Sequence, residues 1–401
     1  MKYLLLAGGA LILAGCGPSV PPPTNSTAVV IPKPPNSAMP DGPLEAPEVI
    51  VPVKPRMQIA IGDSWVCLRL DTSLRCWSRA KSVPTPIVTL PPIADIGNVV
   101  DVAVGMRHVC AVNDAGLVYC WGENSLGQLG ARRVEERIDS PVRVEGLEGA
   151  VAITAGMMHS CALLKDGRVS CWGWNALGQT GGDAEYTRDA RELVVAQEVA
   201  GISGATAVAA GRGQSCAMLK AGVYCWGESM LRSQATPRGY RDNRAYPVEE
   251  LAELKQFAFN EETACALFKD GHAGCWGSGV FSLVPGRPLH ADSPLTLMLP
   301  PAKTLVVGKY HGCAILQDGR VTCFGWNNHG ELGRPANEDY NTHEAEIVPG
   351  LPTDVTGLSL GSATSCAIVR NTELWCWGIP PHEAWEHGVK GTAPVRVPID
   401  S

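Results

Sequence analysis

From about residue 57 onward, the hydrophobic residues of this chain fall in short runs of five or six, cut by glycine, by Asp-Gly and by longer polar stretches. Runs of that length bounded by turn residues read as β-strands, and no helical periodicity is sustained anywhere. Residues 150–195 show the unit. Ala150–Thr154, His159–Leu164, Arg168–Trp172 and Arg191–Val195 are four strand-like runs. Gly156 marks a tight turn between the first two, Asp166-Gly167 a hairpin between the next two, and a polar loop precedes the last. Asp166, Asp270 and Asp318 recur with the unit and read as turn chemistry.

The unit occurs seven times, and each copy carries two cysteines: Cys67/Cys76, Cys110/Cys120, Cys161/Cys171, Cys216/Cys225, Cys265/Cys275, Cys313/Cys323 and Cys366/Cys376. A three-residue loop at Lys165–Gly167 sets Leu164 opposite Arg168 and, counting outward, Cys161 opposite Cys171. A two-residue loop at Lys220-Ala221 sets Leu219 opposite Gly222 and Cys216 opposite Cys225. The turn loses a residue and the cysteines stay in register. They fall on a non-hydrogen-bonded pair, where Cα atoms lie about 4.5 Å apart, at the near edge of disulfide range. Seven intra-hairpin disulfides are therefore expected. Each closes a short loop and is worth about 2 kcal/mol. The competing reading is small buried thiols that only pack. A zinc site fits poorly, because such sites favour closer spacing such as Cys-x2-Cys.

The cysteine pairs recur at intervals of 43, 51, 55, 49, 48 and 53 residues. A period near fifty with four short strands per unit predicts an all-β fold, a seven-bladed β-propeller with four-stranded antiparallel blades over residues 56–401. An aromatic follows each second cysteine: Trp77, Trp121, Trp172, Trp226, Trp276, Phe324 or Trp377. One such residue per blade is expected to pack between blades. Glycine comes next in six units; the first has Ser78.

The fifteenth cysteine stands apart. One lysine, about a dozen apolar residues and then Leu13-Ala14-Gly15-Cys16 open the chain. The run is too short to span a bilayer and fits a signal peptide over 1–15. Leu-Ala-Gly-Cys resembles the bacterial lipobox, which implies cleavage before Cys16 and its acylation, palmitate included. Gly17, where inner-membrane retention calls for Asp, favours the outer membrane by the same resemblance. Residues 16–55, with Pro21-Pro22-Pro23 and Pro34-Pro35, form an extended linker. An exported chain with fourteen remaining cysteines agrees with the disulfide reading.

Val-Ala-x-Gly-x-x-His-x-Cys-Ala-Leu, Asp-Gly-x-Val-x-Cys-Trp-Gly and Asn-x-x-Gly-Gln-Leu-Gly resemble the repeat of the regulator of chromosome condensation (RCC1-like) family. The last element stands here as Asn124–Gly130, Asn175–Gly181 and Asn327–Gly333. The resemblance covers residues 57–399 and implies a seven-bladed propeller. The doubled cysteines resemble an exported bacterial lipoprotein branch. Units one, four, five and seven lack the Asn-x-x-Gly element, and unit five has Asn260 where others have Gly105, Gly156 or Gly308. A left-handed turn there would tolerate asparagine.

His108, His159 and His311 share one repeat position, filled elsewhere by Trp65, Gln214, Thr263 and Thr364. Three of seven, unevenly placed, do not converge on a metal; a hydrogen bond within the blade is the expectation. No Gly-x-Ser-x-Gly, His-Glu-x-x-His or phosphate loop is present, so neither an enzyme nor a cofactor is expected. The net charge of -7 without a basic stripe argues against nucleic acid. The tight turns before the first cysteines ring one rim: Met106-Arg107, Met157-Met158, Arg212, Glu261-Glu262 and Lys309-Tyr310. Side chains so varied on a rigid ring suit recognition of a protein or surface glycan. The charged loops at 132–137, 183–191 and 232–244 are the second candidate surface. The expected protein is a monomeric, lipid-anchored, non-catalytic scaffold of the bacterial envelope. Inhibition of an exported enzyme such as a β-lactamase, which family likeness suggests, is the alternative; a propeller hydrolase or lyase is a weaker one.

Overall fold

A computed structural model describes residues 56–78, 92–132, 135–182, 195–228, 241–251, 253–259, 263–277, 283, 291–336, 343–379 and 391–399. The chain forms a seven-bladed, all-β propeller of antiparallel blades. Six blades are four-stranded sheets, and the first has three strands among the described residues. Every blade is built in chain order. In blade 2, Val99–Val104, His108–Asn113, Val118–Glu123 and Arg137–Arg143 lie side by side.

The hairpin register is the one that the sequence predicts. Leu219 faces Gly222 across the shorter turn, and in every blade the two cysteines face each other. All seven pairs are disulfides: Cys67–Cys76, Cys110–Cys120, Cys161–Cys171, Cys216–Cys225, Cys265–Cys275, Cys313–Cys323 and Cys366–Cys376. Their Cα atoms lie 4.0 to 4.1 Å apart, closer than the spacing expected of an uncrosslinked pair, because the bridge draws the two strands together. The one-residue difference in turn length is absorbed wholly by the turn. The bridges differ in burial. Cys120, Cys275, Cys323 and Cys376 are buried in seams between blades, whereas Cys76 of the first blade is only partly buried.

The expected fourth strand of the third unit, Arg191–Val195, lies outside the described residues except for Val195. The fourth strand described in this blade is Gln197–Glu198, two residues paired with Ser170 and Cys171.

The core lies between blades. One layer joins Cys110, Val112 and Leu129 of blade 2 to Ile153, Ala162 and Trp172 of blade 3. Another joins Cys161 and Val169 of blade 3 to Ala217 and Trp226 of blade 4. The aromatics after the second cysteines are all buried at these seams, as expected. The ring closes by the same packing. Met57, Ile59 and Val66 of blade 1 pack against Ile368, Leu374 and Val397 of blade 7. No strand is exchanged between the first and last blades among the described residues.

Two glycine positions shape the rim. The glycine after the aromatic sits at a β-bulge. Gly122 has φ 108°, and a Cβ there would lie 2.5 Å from the Arg107 carbonyl oxygen. Glycine permits both the dihedral and the approach. The glycine of the tight turn is different. Gly105, Gly156 and Gly308 are not in the left-handed region, contrary to the sequence expectation. They are required for space: a Cβ on Gly105 would meet His108 Cε1 at 2.4 Å and the Gly156 carbonyl oxygen of the next blade at 2.5 Å. Asn260 lies outside the described residues.

Candidate binding rim

The bulge after the aromatic has a direct consequence for the rim. It turns the following N–H onto the tight turn of the same blade. Glu123 N–H donates to Arg107 O (3.1 Å), Trp174 to Met158 O (2.9 Å), Glu228 to Gly213 O (2.8 Å), Trp326 to Tyr310 O (3.0 Å) and Ile379 to Ala363 O (2.8 Å). The tight turns and the loops after Trp-Gly therefore share one face. Of the charged loops proposed as a second surface, residues 133–134, 183–191 and 232–240 lie outside the described residues. The Asp-Gly turns lie at the opposite face and carry exposed ion pairs such as Arg168–Asp166 and Arg320–Asp318.

The rim has two concentric rings. The first turn residue of several blades, namely Asp63, Met106, Met157, Lys309 and Ser362, lines a hollow of about 120 Å³ on the axis. The second turn residue faces outward to the loop. Arg107 pairs with Glu123 (3.5 Å) and Tyr310 stacks on Trp326, centroids 4.8 Å apart and 11° from parallel. Arg212 is exposed at the same turn of blade 4. Glu261 and Glu262, the remaining rim residues singled out from sequence, and Cys16 lie outside the described residues. The bridged cysteines take no part in this surface. Cys76, Cys120, Cys275, Cys323 and Cys376, like their partners, sit at mid-strand, and none of them lines the axial hollow. They are structural residues of the blades and not members of the site.

Each Asn-x-x-Gly loop is tied to the next blade. Asn175 Oδ1 accepts from Thr180 N–H (2.9 Å), and Gln179 Oε1 accepts from Leu177 N–H (2.9 Å). These bonds present the Gln179 carbonyl to blade 4, where it accepts from Trp226 Nε1–H (2.9 Å) and Ser215 Oγ–H (2.9 Å). The Glu331 carbonyl accepts likewise from Trp377 (2.8 Å) and Ser365 (2.8 Å), and the Gln128 carbonyl from Trp172 (2.9 Å).

The histidines complete this arrangement, and their partners correct the sequence reading. His108 Nε2 lies 2.8 Å from Ser160 Oγ, His159 Nε2 2.8 Å from Ser215 Oγ, and His311 Nε2 2.7 Å from Ser365 Oγ. The bonds cross to the neighbouring blade instead of staying within one, because the ring is held over the missing Cβ of the turn glycine and points sideways. Ser215 and Ser365 already donate to loop carbonyls, so His159 and His311 donate from Nε2–H and their Nδ1 holds the lone pair. Complete burial lowers the pKa from 6.5 to about 4 for His108, and to about 3 for His159 and His311; His108 adds repulsion at His159. These rings are neutral struts. No group of three or more metal-ligating side chains occurs among the described residues.

The serines were missed at the sequence level, although a signal exists. The loop element, the histidine and the next blade's serine occur together: Asn124 with His108 and Ser160, Asn175 with His159 and Ser215, Asn327 with His311 and Ser365. Asp101 was also missed. It accepts from Gln58 Nε2 of blade 1 (2.8 Å) and from Ile153 N–H of blade 3 (3.1 Å), so one carboxylate links three blades.

Comparison with known proteins agrees with this architecture. Models of the regulator of chromosome condensation (RCC1) repeat match residues 115–163 and residues 99–128, 150–179 and 302–331. The mouse RCC1-like G exchanging factor-like protein is 28% identical over 280 residues, 64% of this chain and 59% of that protein. The human probable E3 ubiquitin-protein ligase HERC6 is 30% identical over 293 residues, 67% of this chain and 27% of that protein. The chain thus spans less than two thirds of either relative's length. The crystal structure of Prp20p from Saccharomyces cerevisiae, described with its binding properties to Gsp1p and histones, superposes with a TM-score of 0.61 at 21% identity, covering 75% of this chain and 77% of that one.

Proposed function

Since the chain belongs to the regulator of chromosome condensation repeat family, we propose that it is a non-catalytic scaffold whose loop rim binds another protein. The observation that carries this reading is the two-ring rim. Chemically varied side chains stand on a frame whose blades are stapled by disulfides and whose loops are tied to neighbouring blades. A rigid ring of varied loops loses little entropy on binding, which favours affinity. Yeast Prp20p, of the same fold, is described as binding Gsp1p and histones. The net charge of -7 makes an acidic nucleic-acid partner unfavourable here.

In this proposal the protein is exported, acylated at Cys16 after removal of residues 1–15, and held in the bacterial outer membrane with residues 16–55 as a spacer. The lipobox-like Leu13-Ala14-Gly15-Cys16 and the seven disulfides of the body support that placement. The test is a cross-linking pull-down from the native envelope. Arg107→Glu combined with Tyr310→Ala is expected to lose the partner, and Arg168→Glu at the opposite face to keep it. Equal capture by both would contradict the rim assignment.

A further inference from the structure

Between blades 6 and 7, where the first blade closes the ring, the rim opens into a cleft of about 530 Å³. Its wall includes the Tyr310–Trp326 stack, the Asp63 carboxylate, Ser362, Asn328 and Glu331. We propose that this cleft anchors a cationic side chain, an arginine or lysine of the protein partner. The inference rests on the scaffold reading and names its anchoring contact.

Comparison among the chain's own repeats supplies the first argument. Blades 2 and 3 carry Gln128 and Gln179 at the loop position that blade 6 fills with Glu331. All three do the same internal work: the side-chain oxygen accepts a loop N–H, at 2.8 Å for Gln128, 2.9 Å for Gln179 and 2.7 Å for Glu331. Glutamine is sufficient for that bond. Glutamate replaces an amide donor with a second acceptor oxygen in a buried site, which is unfavourable unless a donor or cation arrives. Burial outweighs the loop N–H bonds and the nearby His329 imidazole, which both favour the charged form, and pushes the Glu331 carboxyl above the usual carboxylate range.

Apart from His329, the polar groups of the wall have the same preference. Asn328 Oδ1 is buried and has no hydrogen-bond partner among the described residues. Ser362 Oγ–H donates to Asp63, so the hydroxyl offers the cleft only its lone pairs. Among the described residues, no lysine or arginine lines the cleft; its one basic side chain is the exposed imidazole of His329. The stacked aromatics supply electron-rich faces, on which guanidinium and ammonium groups are favoured. The chain uses that contact twice itself: Lys309 Nζ lies 5.7 Å from the Tyr310 centroid on the axial side, and Arg137 Cζ lies 5.9 Å from the Trp65 centroid at the blade 1–2 seam. A carboxylate–aromatic wall rich in acceptors selects a planar guanidinium over a neutral polyol.

The test is titration of the full chain with N-acetyl-arginine methylamide, N-acetyl-citrulline methylamide and methyl glucoside, read by saturation-transfer NMR and tryptophan fluorescence. The arginine derivative is expected to bind at least about tenfold more tightly than citrulline, its neutral isostere. Glu331→Gln, which copies blades 2 and 3, and Asp63→Asn are each expected to weaken it by about tenfold without loss of the fold by circular dichroism. Equal binding of citrulline, preference for the glucoside, no binding, or unchanged affinity in both variants would overturn the proposal. If it fails while Arg107→Glu with Tyr310→Ala still loses the partner, only the cleft assignment falls. If that variant keeps the partner as well, the scaffold reading falls with it.

Discussion

His159 of blade 3 donates from Nε2–H to Ser215 Oγ of blade 4 across 2.8 Å, and Ser215 Oγ–H in turn donates a hydrogen bond to the Gln179 backbone carbonyl of blade 3. A single hydroxyl thus holds both the strand and the loop of the preceding blade. Ser215→Ala leaves a buried imidazole N–H and weakens the hold on the loop. The expected loss is about 1–3 kcal/mol in urea unfolding. An unchanged unfolding midpoint would show that this pair of hydrogen bonds contributes nothing.

The same histidines set a pH dependence. In the unfolded chain they titrate near 6.5; in the fold, near 4 for His108 and near 3 for His159 and His311. Below 6.5 the unfolded state takes up protons that the folded state refuses. Their contribution to stability is complete above pH 6.5, falls as the pH drops toward about 3, and is flat below. Between pH 7 and pH 5 the loss is about 2 kcal/mol per histidine. Urea midpoints at the two pH values measure it, and His159→Gln, which adopts the residue blade 4 uses at Gln214, should reduce the difference. Equal midpoints at both pH values in the parent protein would contradict the buried neutral assignment.

How far the sequence could be read follows from these residues. Cys161/Cys171 and Cys216/Cys225 were legible because hairpin register is local, fixed by the turn between two strands. The seven blades were legible because the unit repeats. His159–Ser215, Trp226–Gln179 and Asp101–Ile153 join residues about fifty apart on different blades. Nothing within one repeat announces them; only comparison of the same position across successive repeats does. Asp63, Tyr310 and Glu331 meet in one cleft through ring closure, which brings the first blade beside the last.

The disulfides make a mass prediction. Seven bridges, each removing two hydrogens, lower the intact non-reduced mass by about 14 Da relative to the thiol form. Removing one bridge by Cys216→Ala with Cys225→Ala should cost about 2 kcal/mol in unfolding free energy, since the closed loop is short. Titratable thiols among the fourteen repeat cysteines of the non-reduced protein would refute the pairing.

Membrane attachment turns on one residue. Cys16→Ser should abolish incorporation of labelled palmitate and move the protein from the membrane to the soluble fraction. A labelled or membrane-bound Cys16→Ser protein would disprove anchoring at that position.

The central claim is that the loop rim is the binding face. Photo-activatable residues placed at Arg107, Met158 and Tyr310 on the rim, and at Arg168, Asp318 and Arg320 on the opposite face, test it most directly in intact cells. The rim set is expected to cross-link one protein at reproducible mass, and the opposite set none. Cross-links of the same protein from the opposite face, with the rim silent, would contradict the account.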